Sequence, residues 1–443
     1  MTAGPIDYAT ADFYTDHALV DDPHAYFDYL RAQGPVSRLP QRGVIAITGF
    51  DETVKVMLDT EHFSSVNAAT GPIPPLPFTP QGDDITAQVA ENRAKIPFAD
   101  TIVTQDGERH LQLRSLLSRL FTPSRLKALD SRIVATADSL IDEFAPAGRV
   151  NLVSDYGSPF ATFVIADLLG LPEKTRTLFR RLLTNVIPAE MDAEDEEDPA
   201  NGPFGQVGKH LFGHVAKRRA LQHPLLRWAG KYFPGGPGRE DVMAELATAR
   251  FADGSKPSLV DVTALSAFLF GAGQDTTNRL LANCLKVIAT RPEIQQALRG
   301  DAKLIPNFVE EVLRQEGSVK AGGRLCVKTT TVGGVEIKAG TVILLSHMAA
   351  NRDPARFGCP AEFDMARPKL KEHLAFGRGA HTCIGAPLAR REVVVSIERL
   401  LARLGNIRLA AEHRGPDGEP HFDWEPTYIL RALKALHLEF DPI

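Results

Sequence analysis

Cys383 closes a glycine-rich stretch, Phe376-Gly377-Arg378-Gly379-Ala380-His381-Thr382-Cys383-Ile384-Gly385, and Ala386-Pro387-Leu388-Ala389-Arg390 follows it. Gly377 and Gly379 before the thiol, and Gly385 after it, let the backbone come close to a flat ligand, since glycine tolerates φ values closed to other residues. An amphipathic helical pattern begins just beyond the loop. A sulfur at a helix N-terminus meets backbone N–H groups and the positive end of the dipole, which favour the thiolate. A lone thiolate held this way suits the axial position of a haem iron, where it donates electron density that promotes O–O cleavage. The plainer alternative is a buried structural cysteine beside a turn.

Two further groupings carry chemistry. Ala272-Gly273-Gln274-Asp275-Thr276-Thr277 lies inside an apolar helical pattern over 258–290. A mid-helix glycine costs stability, so it needs a reason. Close approach of a ligand is one, and an ordinary small-residue packing contact is the other. In Glu311-Val312-Leu313-Arg314 the acid and the guanidinium are three apart, on one helix face, and able to pair.

The cysteine stretch fits F-x-x-G-x-H-x-C-x-G at every fixed position, and in this it resembles the ligand loop of the cytochrome P450 family. The resemblance runs from about Asp22 to the C-terminus. It implies a mainly α fold with a small β region, with haem b buried between an oxygen-activation helix and the Cys loop and its helix, and residues 1–443 forming a single haem domain. Cys383 becomes the metal ligand. Thr276 and Asp275 become the hydroxyl and acid that manage protons during O₂ activation, beside Ala272 and Gly273. Glu311, Arg314 and Arg367 become a buried structural triad, with Ala350-Asn351-Arg352-Asp353-Pro354 a familiar stretch ahead of Arg367. Phe376, Gly377 and Gly385 belong to the haem-binding loop. His110, Arg114, Arg324 and His381 are the candidates for holding the haem propionates, which need cationic or N–H partners where buried. Where family members often carry Ser-Pro after the E-x-x-R helix, this chain has Gly317-Ser318. Lys320 follows, facing either the substrate pocket or solvent.

The bulk composition is ordinary for a soluble globular protein. The chain has 443 residues and a net charge of −5, so nothing points to nucleic acid. Its four cysteines, Cys284, Cys326, Cys359 and Cys383, show no close spacing, which excludes a zinc cage or disulfide framework and fits a cytoplasmic location. The polar N-terminus reads as no signal peptide. The longest apolar run, near Leu265 to Gly273, falls far short of the ~20 residues of a membrane span. A soluble, bacterial-type monomer is therefore expected. It would take NAD(P)H-derived electrons from an external ferredoxin and its reductase, because no flavin or Fe–S extension is visible. Arg119, Arg125, Lys127, Arg378, Arg390 and Arg391 are expected near the docking face, where scattered surface charge is the bland alternative.

Helical periodicity is predicted over 108–121, 123–144, 155–170, 173–187, 205–223, 240–250, 258–290, 292–299, 305–316 and 386–404. Strands are predicted at Val44–Thr48, Leu325–Val332, Val335–Ile337 and Thr341–Ser346, with Gly333-Gly334 as a hairpin turn. Residues 66–103, rich in proline near their start, read as a long irregular loop, either a surface excursion or, given Ile73, Leu76 and Phe78, a cover for a ligand. The acidic run from Glu190 to Asp198 reads as a solvated loop. The function expected is insertion of one oxygen atom from O₂ into a mainly apolar small organic substrate. Phe78, Phe268, Leu269, Ser318, Tyr428 and Ile429 are the pocket candidates. A peroxide-driven oxygenase on the same fold, or a non-enzymatic haem sensor or carrier, are the alternatives.

Overall fold

Helices in the computed structural model begin and end close to where the apolar spacing places them. Residues 6–183, 191, 202–221, 242–416 and 418–443 are described. In chain order the helices are α1 (Pro23–Gln33), α2 (Phe50–Leu58), α3 (Thr86–Asn92), α4 (Gly107–Ser118), α5 (Pro123–Phe144), α6 (Ser158–Leu168) and α7 (Glu173–Leu183). They continue with α8 (Pro203–Leu221), α9 (Val242–Thr248), α10 (Leu259–Thr290), α11 (Pro292–Gly300), α12 (Ile305–Glu316), α13 (His347–Ala350) and α14 (Ala386–Arg403). The acidic run lies outside the described residues, Met191 apart, as do the ends predicted for α7, α8 and the start of α9.

Capping explains the sharpest boundaries. The hydroxyl of Ser258 accepts from the amide of Asp261 at 2.9 Å, and Asp261 Oδ2 accepts from the amide of Ser258 at 3.0 Å. This capping box satisfies two orphan donors at the start of α10. Proline occupies the first turn of α5, α11, α12 and α14, where its missing N–H costs nothing.

Strands β1 (Val36–Arg38), β2 (Ile45–Ile47), β3 (Phe63–Ser64), β5 (Gly322–Cys326) and β8 (Val342–Leu345) form one sheet in the order β1-β2-β8-β5-β3, where β4 (Arg149–Asn151) belongs elsewhere. The β2–β8 pairing is parallel, with Ala46 opposite Leu344. β6 (Thr330–Val332) and β7 (Val335–Ile337) make a hairpin through Gly333 and Gly334, both at positive φ. β4 pairs with β10 (His437–Pro442), which pairs with β9 (Leu404–Leu409). The predicted strand Leu325–Val332 is thus two strands in two sheets. The predicted loop 66–103 contains α3 and a short 3-10 turn, Arg93–Lys95. Val89 of α3 buries against Leu325 and Ile96, and this tertiary contact stabilises a helix too short to declare itself in the sequence.

The main core is shared by α5, α6, α10, α12 and α14, with Ile133, Phe160, Phe270, Phe308 and Ile397 all buried in it. Among the described residues no helix is long and apolar enough to cross a membrane.

Candidate active site

The Cys loop is held at three points. The amide of Cys383 donates to the carbonyl of Phe376 at 2.8 Å, closing the loop on itself. Gly379 has φ 75°, and a Cβ there would stand 2.8 Å from the carbonyl oxygen of Met57 in α2. Only glycine fits that position. On the far side, His373 Nε2 lies 2.9 Å from Glu310 Oε2, and Arg390 Nε and Nη2 reach Glu310 at 2.6 and 2.9 Å. Burial pushes the Glu310 carboxyl up, but His373 and Arg390 outweigh it and hold it down at about 2. Glu310 therefore bolts α12 to both flanks of the loop. Sequence reasoning missed it; its signal was only an acid adjacent to Glu311.

Glu311 and Arg314 are fully buried and pair bidentately, Nε to Oε2 at 2.8 Å and Nη2 to Oε1 at 2.7 Å. Arg314 also donates to the carbonyls of Asn351 and Pro360, both at 2.9 Å. Arg367 Nε reaches Glu311 Oε1 at 3.3 Å, and Arg367 Nη2 donates to the carbonyl of Glu362 at 2.7 Å. The guanidinium forks gather the irregular chain from 351 to 367 onto α12.

The thiol of Cys383 opens onto a cavity of about 250 Å³ walled by α10 through Ala272, Gly273 and Thr276. A second cavity of about 290 Å³ adjoins it and shares Thr276, Phe376, His381 and Cys383. Together they form a slot between α10 and the start of α14. Cys383 is exposed to that slot, yet protein encloses it closely. Burial pushes its pKa up. The amides of Gly385 and Ala386, with Arg114 and Arg390, pull it back only in part. The helix N-terminus alone therefore does not make the thiolate; a coordinated metal ion does so outright. Cys284 and Cys326 are buried with thiols pushed up by desolvation, and Cys359 lies exposed away from the slot.

One side of the slot gathers basic side chains. His110 stacks on His381 with ring centroids 4.0 Å apart. Arg114 donates to the carbonyl of Thr382 at 2.5 Å and Arg324 to that of Gly323 at 2.7 Å. Neither guanidinium has an ion-pair partner among the described residues. Burial, then Arg324, His110 and Arg114, lower the pKa of His381 to about 3, and its Nε2 lies 3.1 Å from Ser65 Oγ. His347, unnoticed in the sequence, adds a half-buried ring whose buried Nδ1 has no hydrogen-bond partner. Asp106 is the acid nearby, and it is engaged by the amide of Ser65 at 3.0 Å. Two half-buried guanidinium groups without ion-pair partners among the described residues, flanked by imidazole rings, fit a planar group bearing two carboxylates of its own. The residues present therefore fit haem, which Cys383 would hold through its thiolate and His110, Arg114, Arg324 and His381 would hold through its propionates.

The α10 wall differs from expectation in its details. A Cβ on Gly273 would lie 3.0 Å from Ile165 Cδ1 of α6, so close helix packing also favours a glycine here. Thr276 Oγ1 donates to the carbonyl of Ala272 at 2.7 Å, while Ser318 Oγ donates to the carbonyl of Thr276 at 2.8 Å. Asp275 does not line either cavity. Its carboxylate accepts from Arg279 Nε at 2.8 Å, and Arg279 Nη1 reaches Glu425 at 2.6 Å. An ion pair within the helix turns it away.

The pocket candidates separate likewise. Phe268, Leu269 and Ser318 line the slot. Phe78 instead packs with Leu76 against the cluster around Val89, where α3 draws the loop outward. Tyr428 and Ile429 flank a small void beside Phe13 and Tyr14, and Tyr428 donates to the carbonyl of Thr70 at 3.3 Å. Lys320 faces neither pocket nor solvent. It is buried, donates to the carbonyl of Thr427, and burial lowers its pKa to about 7. A larger open groove of about 680 Å³ between α1, the start of α2 and residues 352–361 contains none of these groups.

Comparison with known proteins agrees with this geometry. The family model for cytochrome P450 matches residues 237–405. Cytochrome P450 monooxygenase PikC of Streptomyces venezuelae is 30% identical over 425 residues, covering 95% of this chain and 91% of that protein. The substrate-free structure of Mycobacterium marinum cytochrome P450 CYP150A6 superposes with a TM-score of 0.88 at 45% identity, covering 98% of this chain and 100% of that one. Cytochrome P450 CYP109Q5 from Chondromyces apiculatus gives a TM-score of 0.77 at 28% identity, covering 99% and 100%. The chain belongs to the cytochrome P450 family. It is accordingly an oxidoreductase of the oxygen-incorporating kind, and the family implies a haem-thiolate centre.

Proposed function

We propose that this protein hydroxylates or epoxidises a mainly apolar small organic molecule, using electrons delivered by a separate ferredoxin and its reductase. The observation that carries this reading is Cys383 facing the Ala272–Thr276 segment of α10 across a slot with the guanidinium groups of Arg114 and Arg324, neither in an ion pair among the described residues, at one side. Haem bound there through the Cys383 thiolate supplies the O–O cleaving and oxygen-inserting chemistry. The chain's own residues do the rest. His110, Arg114, Arg324 and His381 take the propionates and fix the ring's orientation. Ile102, Val103, Phe268 and Leu269 give the slot apolar walls, which exclude water and select an apolar substrate. Thr276 presents Oγ1 to the slot with its own proton committed to the carbonyl of Ala272, leaving the oxygen free to accept.

The proposed electron-partner face is basic in places. Arg119 and Lys127 are exposed. Arg125, Arg390 and Arg391 are instead spent on Glu245, Glu310 and Asp130. Arg378 donates to the carbonyl of Glu372 at 3.0 Å. The first test is spectroscopic. The reduced CO complex of the purified holoprotein should show the red-shifted Soret band of a thiolate, and Cys383→His should abolish it. A band that survives in Cys383→His, or that needs Cys284, Cys326 or Cys359 instead, overturns the ligand assignment. A library screened for low-spin to high-spin Soret shifts then identifies the substrate.

A further inference from the structure

His347 is the first residue of α13, two residues beyond the end of β8, and it lines the slot cavity that also holds Arg324, His381 and Cys383. Main-chain contacts on both sides fix its place. The amide of Ser346 donates to the carbonyl of Ile47 at 3.1 Å, and the amide of Met348 donates to the carbonyl of Lys320 at 3.1 Å. Ser346 Oγ accepts from the amide of Ala349 at 3.0 Å, which caps the short helix. Strand β5 leaves room for the ring. Gly322 lies opposite Leu345 in the β5–β8 register, and a Cβ on Gly322 would stand 3.2 Å from His347 Cε1. Gly322 and Arg324 are two apart and so share a face of β5. The imidazole therefore takes up the space on that face next to Arg324.

The ring has no use inside the protein. Its Nδ1 is buried without a partner, and no hydrogen bond holds the other nitrogen among the described residues. Burial, then the charge of Arg324, lower its pKa to about 4, so the imidazole is neutral at pH 7. A neutral imidazole carries one N–H donor and one lone pair. A half-buried donor with no acceptor is costly, and the surrounding groups supply none. Arg324 has only N–H groups to offer, and it donates to the carbonyl of Gly323 at 2.7 Å. His381 Nε2 lies 3.1 Å from Ser65 Oγ. Asp106, the acid on this side of the slot, accepts from the amide of Ser65 at 3.0 Å and from the hydroxyl of Ser64.

We propose that His347 is a further propionate-holding residue of this chain, an uncharged N–H donor seated beside the Arg324 guanidinium in the space that Gly322 leaves open. The inference rests on the haem-thiolate reading above. Its part differs from that of Arg114 and Arg324. Those residues bring charge, whereas His347 brings a donor to a carboxylate oxygen without adding another positive charge to a partly desolvated site. In return the carboxylate gives the orphan ring its acceptor. Gly322 belongs to the same arrangement, because a side chain there would press on the imidazole.

The test compares the full chain as wild type, His347→Phe, which keeps the ring's bulk but has no N–H, and His347→Ala. Wild type and His347→Phe are loaded with haem b and, separately, with its dimethyl ester, in which both carboxylates are blocked. With haem b, the resonance Raman bending mode of the propionates should shift in both variants. Haem should also pass to apomyoglobin about fivefold faster from His347→Phe than from wild type, the effect of losing one neutral hydrogen bond. With the diester, wild type and His347→Phe should release the cofactor at the same rate. The thiolate CO band should be the same in all three haem b proteins. A propionate mode unchanged in both variants, or a rate difference in His347→Phe that persists with the diester, overturns the proposal and leaves the haem-thiolate reading intact. Absence of the thiolate CO band in wild type would instead defeat that earlier reading. If His347→Phe does not fold, the propionate mode of His347→Ala decides.

Discussion

Thr276 and Glu392 face one slot from two helices, and each has a distinct consequence when altered. Thr276 is tied through its proton to Ala272 and through its carbonyl to Ser318, so its hydroxyl oxygen is fixed in place. Thr276→Ala should keep haem, the CO band and ligand-induced spin shifts, while more of the NAD(P)H consumed ends as hydrogen peroxide. Product formed and peroxide released per NAD(P)H oxidised measure this, and unchanged coupling would remove Thr276 from oxygen activation. Glu392 predicts a pH effect on stability. Its folded pKa of about 8 lies above the ordinary 4.5. Between those values the folded protein keeps a proton that the unfolded chain has lost, so raising the pH favours unfolding. Wild type should therefore lose stability relative to Glu392→Gln as the pH climbs from about 4.5 to 8, by several kcal/mol at about 1.4 kcal/mol per tenfold change in proton affinity. Denaturation of both holoproteins across that range would show the divergence; parallel curves would refute it.

At the scale of elements, α12 organises the side of the slot behind the cysteine loop. Glu311 turns toward the irregular segment around Arg367, and its neighbour Glu310 turns toward the loop. Glu310 is charged and paired in the folded state, with a pKa of about 2 against an ordinary 4.5. Its contribution is present above about pH 4.5 and lost as the pH falls toward 2, where the folded carboxyl also protonates. Glu310→Gln should strand His373 and Arg390 and destabilise the protein by about 3 kcal/mol, less whatever solvent recovers at half-exposed Arg390. Faster haem loss and a lower Tm at neutral pH are the expected readouts. Equal haem retention in variant and wild type would mean that the loop is held without this anchor.

On the scale of the whole molecule, many of the charges on the described residues are consumed by internal pairing. Three arginines of α14 pair with three aspartates of α5, Arg391 with Asp130, Arg399 with Asp138 and Arg403 with Asp142, in a parallel ladder along both helices. Each pair is part-exposed and worth about 0–1 kcal/mol. The ladder also removes those cations from any docking surface. Arg119 and Lys127 have no such partner among the described residues, so they are the charges available to steer an acidic ferredoxin. Arg119→Glu with Lys127→Glu should slow reduction by ferredoxin several-fold at low ionic strength, with the difference shrinking as salt is added. A salt-independent rate in wild type, or no change in the double variant, would place docking elsewhere.

The sequence by itself determined whatever lies within one contiguous segment. The Cys383 loop, the Glu311–Arg314 pair and the long helices α5, α10 and α14 were legible because their residues are neighbours in the chain, where spacing and propensity act directly. Only the tertiary structure decided which acid faces the slot. Asp275 looks the part from its place beside Thr276, but its carboxylate accepts from Arg279, a guanidinium that the distant Glu425 also holds. Glu392 looks like an ordinary polar residue of an amphipathic helix until α10 and α14 cross and bury it against Thr277. Likewise Phe78, Tyr428 and Ile429 suggested a pocket, yet α3 and the cluster beside Tyr14 carry them away from it. Local pattern specifies which elements form. Burial and charge pairing depend on residues hundreds of positions apart, and these set the protonation state and orientation on which the chemistry depends.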